Sequence, residues 1–266
     1  MTNKKINKQF LKQLKFYSNY ETDKRNHIIK PLKFTCEDNK EYYAEFRVKY
    51  KLDRFINAND DEDTVKKILR WTYEILLHST YYENTINYKS SIDIIEFSRA
   101  NKLCLNCYCH SYVLKDALCS VGITARLVYC MPINGDYYGN HVIVEYYSKN
   151  HQKWIFVDPT YNVLFTNKRG VPVSLLEFRE NIIKNRKNLI VINNRIQPFS
   201  SEIKRRELYR GYCEDIIPLL VMLQYERITE ESEVEYIRLV AVNYCIKNKE
   251  KKIDNYIYTS LTGLLY

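Results

Sequence analysis

The chain has 266 residues, of which 45% are hydrophobic and 27% are charged, as in an ordinary globular protein. Only 6 glycines and 6 prolines occur, and no internal repeat is visible, which excludes collagen-like, linker-like and low-complexity chains. Because this length approaches the size at which one core gives way to two, we expect one compact unit with elaborated ends.

The net charge of +9 would suit nucleic acid, an anionic membrane surface or an acidic substrate. Much of the basic excess lies at the two ends of the chain, in Lys4, Lys5, Lys8, Lys12, Lys15, Lys247, Lys249, Lys251 and Lys252. No recognisable DNA- or RNA-binding motif accompanies it, and the 25 tyrosines are spread over the chain instead of clustering with lysines. We therefore expect no nucleic-acid partner.

The sequence also shows no apolar segment of the kind that crosses a membrane or directs export. No apolar stretch approaches the roughly 20 residues that cross a bilayer, and no apolar run follows the basic amino terminus. Eight cysteines are too few for a disulfide scaffold in a chain of this length. The sequence predicts a cytoplasmic protein whose cysteines are thiols, unless an export signal has been removed.

The first hundred residues predict mainly helices. Residues 1–30 are weakly helical in pattern, whereas Glu41 to Tyr50 alternates in the manner of a strand. Residues 65–77 carry apolar side chains at helical spacing, and the preceding acids, residues 60–63, suit the amino-terminal dipole of a helix. Ser91 to Ala100 predicts a second, shorter helix.

The middle of the chain predicts a central helix followed by strands. Asn106 is a good N-cap and Gly122 a natural terminator, which places this helix at residues 106–121. Three strands follow, at Ala125 to Met131, His141 to Tyr147 and Trp154 to Val157. The polar turn at residues 148–153 indicates an antiparallel hairpin, and Pro159 ends its second strand. Three later elements are predicted, the helices Leu175 to Lys184 and Ile203 to Leu208 and the strand Glu233 to Val242. The order predicts an α+β fold.

Three residues in this middle part have the types that thiol catalysis needs. Cys107 would occupy the first helical position, where free N–H groups and the helix dipole favour a thiolate. His141 opens one predicted strand and Asp158 closes the next, so the hairpin can bring the two side chains within about 5 Å. The carboxylate would then fix the imidazole tautomer and stabilise its charged form.

Each of these residues taken alone has a more ordinary interpretation. A cysteine in an apolar helix is most often a small core residue, and an Asp before a proline is most often a turn former. The cluster Cys104, Cys107, Cys109 and His110 also permits a zinc site. No second ligand pair follows it, since Cys119, Cys130 and His151 are isolated, so we expect no metal.

Three segments resemble the transglutaminase-like superfamily, which is related to papain. Residues 106–128 are similar to its nucleophile helix, which begins at a cysteine and ends in a Gly-Ile-Pro-Ala-Arg-type turn into a strand. Residues 141–145 (HVIVE) resemble its His-Ala-Trp-Val-Glu strand, and residues 154–160 (WIFVDPT) match its Trp-X-X-X-Asp-Pro-Thr signature. Residues 173–177 (VSLLE) resemble a helix start more weakly.

The resemblance implies a nucleophile helix packed on an antiparallel sheet, with Cys107 as nucleophile, His141 as general base and Asp158 as orienting acid. Asn106 stands where the family usually has glycine and Thr124 where it usually has proline, but neither change removes a catalytic group. We expect Arg126 to have a structural role. The implied division is an accessory segment at 1–59, a catalytic core at 60–190 and a carboxyl-terminal extension at 191–266.

The resemblance also implies the reaction, which is acyl transfer from an amide or peptide carbonyl through a thioester. The acyl group then passes to water, as in an amidase or peptidase, or to an amine, as in a transglutaminase. The expected partner is a protein or peptide substrate, and no cofactor is implied; calcium has no recognisable loop here. The alternative is a binding module that keeps the fold without catalysis.

Overall fold

The computed structural model describes residues 3–16, 39–78, 90–132, 139–184, 189–193, 202–228, 234–239 and 257–259. The helices are α1 (Asn3–Phe16), α2 (Lys40–Tyr50), α3 (Asp61–Ile75), α4 (Ser91–Asn101), α5 (Cys107–Ser120), α6 (Leu175–Ile183) and α7 (Glu202–Ile216). The strands are β1 (Leu77–His78), β2 (Cys104–Leu105), β3 (Ala125–Met131), β4 (His141–Ser148), β5 (Lys153–Asp158), β6 (Val163–Asn167), β7 (Leu189–Asn193), β8 (Met222–Ile228), β9 (Val234–Leu239) and β10 (Ile257–Thr259).

Strands β3 to β10 form one sheet in the order β10-β9-β8-β3-β4-β5-β6-β7. All neighbours in it are antiparallel except β9 and β10, and the short strands β1 and β2 form a separate parallel pair. Helix α5 packs on β3 and β4. The predicted α+β class, with the helix that begins at Cys107 packed on an antiparallel sheet, is confirmed.

The two faces of the sheet carry separate cores, because side chains alternate along each strand. Val142 and Val144 of β4 belong to the core that includes α5, whereas Ile143 and Phe156 belong to the core that includes α6 and α7. By the same alternation His141 and Asp158 lie on the α7 side of the sheet. Cys107 comes from the other side, so the three residues can meet only where β4 begins.

The prediction of a strand at Glu41 to Tyr50 is wrong, because this segment is helix α2. Its sequence alternates apolar and charged residues, but it also carries an aromatic stripe at the spacing of a helix. Tyr42, Phe46 and Tyr50 lie one turn apart, with ring centroids 5.9 and 5.0 Å apart. Phe46 also contacts Trp71 of α3 at 6.4 Å. Packing of this stripe on α3 favours the helix over the strand.

The other predicted elements are confirmed within the described residues, with shifts of their ends; residue 233 and residues 240–242 of the last predicted strand lie outside the described residues. The hairpin pairs Ser148 with Lys153 and Val144 with Val157, and β5 ends at Asp158 before the proline. The central helix begins and ends as predicted, and the later helix at Ile203 extends to Ile216. Residues 17–30 of the weak amino-terminal prediction lie outside the described residues.

A buried carboxylate on α5 anchors two of the amino-terminal helices. Asp116 is 2% exposed and accepts hydrogen bonds from the Tyr42 hydroxyl at 3.0 Å and the Ser91 hydroxyl at 2.7 Å. The ammonium group of Lys115 lies 3.0 Å from the same carboxylate. Because a buried charge needs partners, these contacts tie α2 and α4 to α5.

Arg126 has the structural role that its position predicts. Its guanidinium pairs with Glu145 of the neighbouring strand at 2.7 Å, and both side chains are buried. The guanidinium carbon also lies 3.8 Å from the ring centroid of Trp154 and 4.6 Å from that of Tyr225. Residues from β3, β4, β5 and β8 therefore meet around one buried cation.

Two further observations concern the cysteines and the helices. The expectation that every cysteine is a thiol is wrong for Cys119, which is disulfide-bonded, whereas Cys104, Cys107, Cys109, Cys130 and Cys213 are free. Within the part of the chain that the structure describes, no helix combines the length and apolar composition that crossing a bilayer requires.

Removing one partner of the Arg126–Glu145 pair should destabilise the fold strongly. Arg126→Met leaves Glu145 buried without its counter-ion, so we expect the free energy of unfolding to fall by about 3–5 kcal/mol. The double variant Arg126→Met, Glu145→Leu removes both charges and should lose less than the single variant. Urea unfolding followed by circular dichroism measures both. Equal losses would assign the effect to lost packing on Trp154 instead.

Candidate functional site

The amino terminus of α5 presents Cys107 at the start of a capped helix. The Asn106 side chain accepts a hydrogen bond from the backbone N–H of Cys109 at 3.0 Å, which fixes the beginning of the helix at Cys107. The first N–H groups of a helix have no acceptor within it, and the dipole there is positive. A thiolate at Cys107 therefore lies in a field that stabilises it.

His141 and Asp158 form a close, buried pair across the hairpin. The imidazole Nε2 lies 2.7 Å from Oδ2 of Asp158, and the Asp158 side chain is 0% exposed. The other carboxylate oxygen, Oδ1, accepts the backbone N–H of Thr160 at 2.9 Å. One oxygen holds the turn and the other holds the imidazole, so the carboxylate has little freedom to move.

The Cys107 side chain is hydrogen-bonded to His141, which leaves the ring nitrogen Nδ1 for the thiol because Nε2 is used by Asp158. Burial raises the pKa of the Cys107 thiol, but the hydrogen bond and charge of His141 and the backbone N–H of Val142 outweigh it, and the net shift is downward from 9.0. Burial lowers the pKa of His141, but the Asp158 carboxylate outweighs it and raises the pKa to about 10. Both shifts favour the thiolate–imidazolium pair over the neutral thiol and imidazole.

The structure thus brings together the three residues that the sequence singled out, in the order thiol, imidazole, carboxylate. The neighbouring cysteines are placed differently. Cys109 is 3% exposed, and burial raises its pKa to about 12, while Cys104 is exposed on β2. Among the described residues, no three His, Cys, Asp or Glu side chains are grouped so that they could hold a metal ion.

Two histidines that were not assigned to the site from sequence lie beside it. The rings of His78 and His110 are 5.6 Å apart in an edge-to-face contact. The charges of His141 and Asp158 act on the pKa of His78, which places the pair next to the triad. His110 is three residues after Cys107 and therefore on its side of the helix, a signal that was readable from sequence. His78 had no such signal, because its position depends on the pairing of β1 with β2.

Two tyrosines complete the α7 side of the site. The Tyr161 ring stands edge-to-face on His141 with centroids 5.9 Å apart, and its hydroxyl donates to Asp215 of α7 at 3.0 Å. Tyr212 of α7 is 2% exposed and lies 5.3 Å from the Tyr161 ring. Burial and the nearby Asp158 carboxylate raise the pKa of the Tyr212 phenol, so a neutral hydroxyl faces the buried acid. These rings limit the access of water to His141 and Asp158.

We expect His110 to make stability depend on pH. Burial, with the charge of His78, lowers its pKa from 6.5 to about 4 in the folded protein, so the unfolded chain takes up the proton first. The contribution of neutral His110 to the free energy of unfolding is fully present above pH 6.5. As the pH falls toward 4, this free energy drops by on the order of 3 kcal/mol. His110→Phe keeps a ring against His78 but has no titrating group. In this variant the free energy of unfolding should depend less on pH between about 4 and 6.5.

Urea unfolding at several pH values between about 4 and 7 measures the slope for wild type and variant. Carboxylates also titrate in this range, so the difference between the two proteins is the informative quantity. Identical slopes for wild type and His110→Phe would contradict the assignment.

Comparison with known proteins agrees with this geometry. Residues 50–159 match the family model described as the Transglutaminase-like superfamily, a segment that includes Cys107, His141 and Asp158. No curated protein matches the chain.

Solved structures with similarity to the chain include a candidate cysteine protease from Cytophaga hutchinsonii, at 16% identity and a TM-score of 0.33, covering 66% of this chain and 56% of that one. A Rad4/XPC nucleotide excision repair complex aligns at 13% identity and a TM-score of 0.31, covering 68% and 52%. Rad4–Rad23 crosslinked to undamaged DNA aligns at 14% identity and a TM-score of 0.28, covering 68% and 50%. This chain therefore spans about half the length of these relatives.

The family match and the order of the elements agree. Residues 50–159 are similar to the transglutaminase-like superfamily, and they contain a capped helix followed by antiparallel strands.

Proposed function

We propose that the protein is a cysteine acyl-transfer enzyme that acts on amide or peptide carbonyls. Cys107 is the nucleophile, His141 moves the proton and Asp158 orients the imidazole. The observation that carries this proposal is the continuous chain of hydrogen bonds from the Cys107 sulfur through His141 to the buried Asp158. The downward pKa shift of Cys107 and the upward shift of His141 favour the thiolate–imidazolium pair that such chemistry needs.

In the acylation step, the thiolate of Cys107 attacks the carbonyl carbon and the carbonyl oxygen becomes an oxyanion. The backbone N–H of Cys107, at the start of α5, is available to stabilise that oxygen. The imidazolium of His141 then gives its proton to the amide nitrogen, the carbon–nitrogen bond breaks and an amine leaves. The acyl group remains on sulfur as a thioester, and His141 is neutral.

In the deacylation step, neutral His141 takes a proton from the acceptor as the acceptor attacks the thioester carbon. The carbon–sulfur bond breaks, which regenerates the thiolate and the imidazolium. Water as acceptor gives hydrolysis, and a primary amine gives transamidation. We favour hydrolysis, because water needs no acceptor site of its own.

The substrate that we propose is a protein or peptide, since the triad requires an amide or peptide carbonyl. A cytoplasmic location remains part of the proposal. The disulfide at Cys119 is the observation against it, because reducing compartments keep most cysteines as thiols. Counting accessible thiols in protein isolated with and without a reductant would test it.

We expect Cys107→Ala to abolish acyl transfer while the fold remains, because the variant lacks the thiol that would form the thioester. Cys104→Ala is the control, since it removes an exposed thiol three residues away. His141→Ala should lower kcat/KM by about 10²–10⁴-fold, and Asp158→Asn should lower it less. The assays are amine release from a panel of peptide anilides and incorporation of a fluorescent primary amine into casein. Retained turnover in Cys107→Ala would refute the nucleophile assignment.

A substrate-independent test is the rate of iodoacetamide labelling of Cys107 against pH, resolved by mass spectrometry. In wild type we expect labelling well below pH 9.0, the ordinary pKa of the thiol, because His141 lowers it. In His141→Ala the main groups that lower the pKa of Cys107 are gone, while burial still raises it. The midpoint of the labelling profile should therefore move above pH 9.0. If Cys107 is inert, or its profile is the same in both proteins, the interpretation as a non-catalytic binding module becomes the better one.

A further inference from the structure

We infer that Ser111 is a positioning residue for Cys107, and that it acts through the backbone of Val142 at the start of β4. The Ser111 hydroxyl donates to the Val142 carbonyl at 2.8 Å, and the Val142 N–H donates to the Cys107 sulfur. Both groups come from α5, four residues apart and therefore one above the other on the same face of the helix. One residue of β4 thus holds the nucleophile helix at two points.

The strand register explains why the Val142 backbone is free for this purpose. Strand β4 pairs with β5 from Ser148–Lys153 to Val144–Val157, and the same register brings Val142 opposite Pro159. Proline has no N–H and cannot donate to a ladder, so pairing with β5 stops before Val142. In an antiparallel strand the N–H and C=O of one residue face the same edge. The Val142 N–H and C=O are therefore left for the Cys107 sulfur and the Ser111 hydroxyl.

The hydrogen bond between Ser111 and Val142 is buried, so removing the hydroxyl leaves the Val142 carbonyl without that partner. Ser111 is 0% exposed and Val142 is 1% exposed, so water cannot replace the hydroxyl at the carbonyl. His141 directly precedes Val142 in the chain. A shift of β4 along α5 would therefore move His141 relative to the Cys107 sulfur, so the hydroxyl that fixes this register also fixes the geometry of the proposed catalytic pair.

This inference rests on the proposed role of Cys107, and its test uses the same labelling of that thiol. Ser111→Ala should slow iodoacetamide labelling of Cys107 at neutral pH by about fivefold and move its pH profile upward, because one buried hydrogen bond is lost. On a substrate, kcat should fall while KM stays unchanged. Ser111→Thr, which keeps the hydroxyl, should restore the wild-type profile.

The matched control is Ser120→Ala on the same helix. The Ser120 hydroxyl donates to the carbonyl of Ala117 at 2.8 Å and is also buried, but it does not reach β4. If Ser111 had only a structural role, both variants would lower the urea midpoint and both would leave the labelling profile unchanged. Circular dichroism establishes that each variant is folded.

A second variant tests the role of the register. Pro159→Ala restores an N–H that can pair with the Val142 carbonyl and compete with Ser111, so we expect it to change the labelling rate in the same direction as Ser111→Ala. A reactive Cys107 with the same profile in wild type, Ser111→Ala and Pro159→Ala would overturn this inference and leave the proposed function intact. An inert Cys107 in the wild type would overturn both.

Discussion

The buried carboxylate of Asp158 is the constraint around which the site is arranged. A carboxylate with no exposed surface must be compensated by hydrogen bonds and by a positive charge, because water cannot solvate it. The Thr160 backbone supplies one hydrogen bond and the imidazole of His141 supplies the charge. The need to keep His141 protonated then extends to the thiol, since an imidazolium beside Cys107 favours its thiolate. The electrostatic environment of the Cys107 thiol therefore follows in part from the burial of Asp158.

That burial is achieved largely by elements outside the segment that matches the family. Residues 50–159 contain all three triad residues, but the rings that cover the pair come from Tyr161, after β5, and from Tyr212 on α7. Helix α7 and β8 also build the core on that face of the sheet, where Tyr225 packs on Arg126. The carboxyl-terminal part of the chain thus helps to form the buried environment of Asp158 and His141.

Local sequence patterns were enough to predict the helix at Cys107 and the hairpin of β4 and β5. They failed where the structure of a segment depends on packing against distant residues. The capped helix at Asn106, the hairpin and the proline after Asp158 are each encoded within a few residues, which is why the sequence was enough to predict that Cys107, His141 and Asp158 lie close together. The stripe of Tyr42, Phe46 and Tyr50 fitted two periods at once, and only packing on Trp71 selects the helix. His78 and Tyr212 reach the site through contacts between segments far apart in sequence, for which no local pattern exists.

The pairing of β4 with β5 gives Pro159 a role beyond ending a strand. A residue that only ended β5 could be replaced by any turn former, and the ladder would be free to run one pair further. Proline prevents that extra pair, so the Val142 backbone remains available to Ser111 and to the Cys107 sulfur. The Val142 backbone could either pair with β5 or bind α5, and Pro159 prevents the pairing with β5. The catalysis that we propose for Cys107 requires the binding to α5, because the thiol and His141 come from opposite faces of the sheet and meet only at this edge.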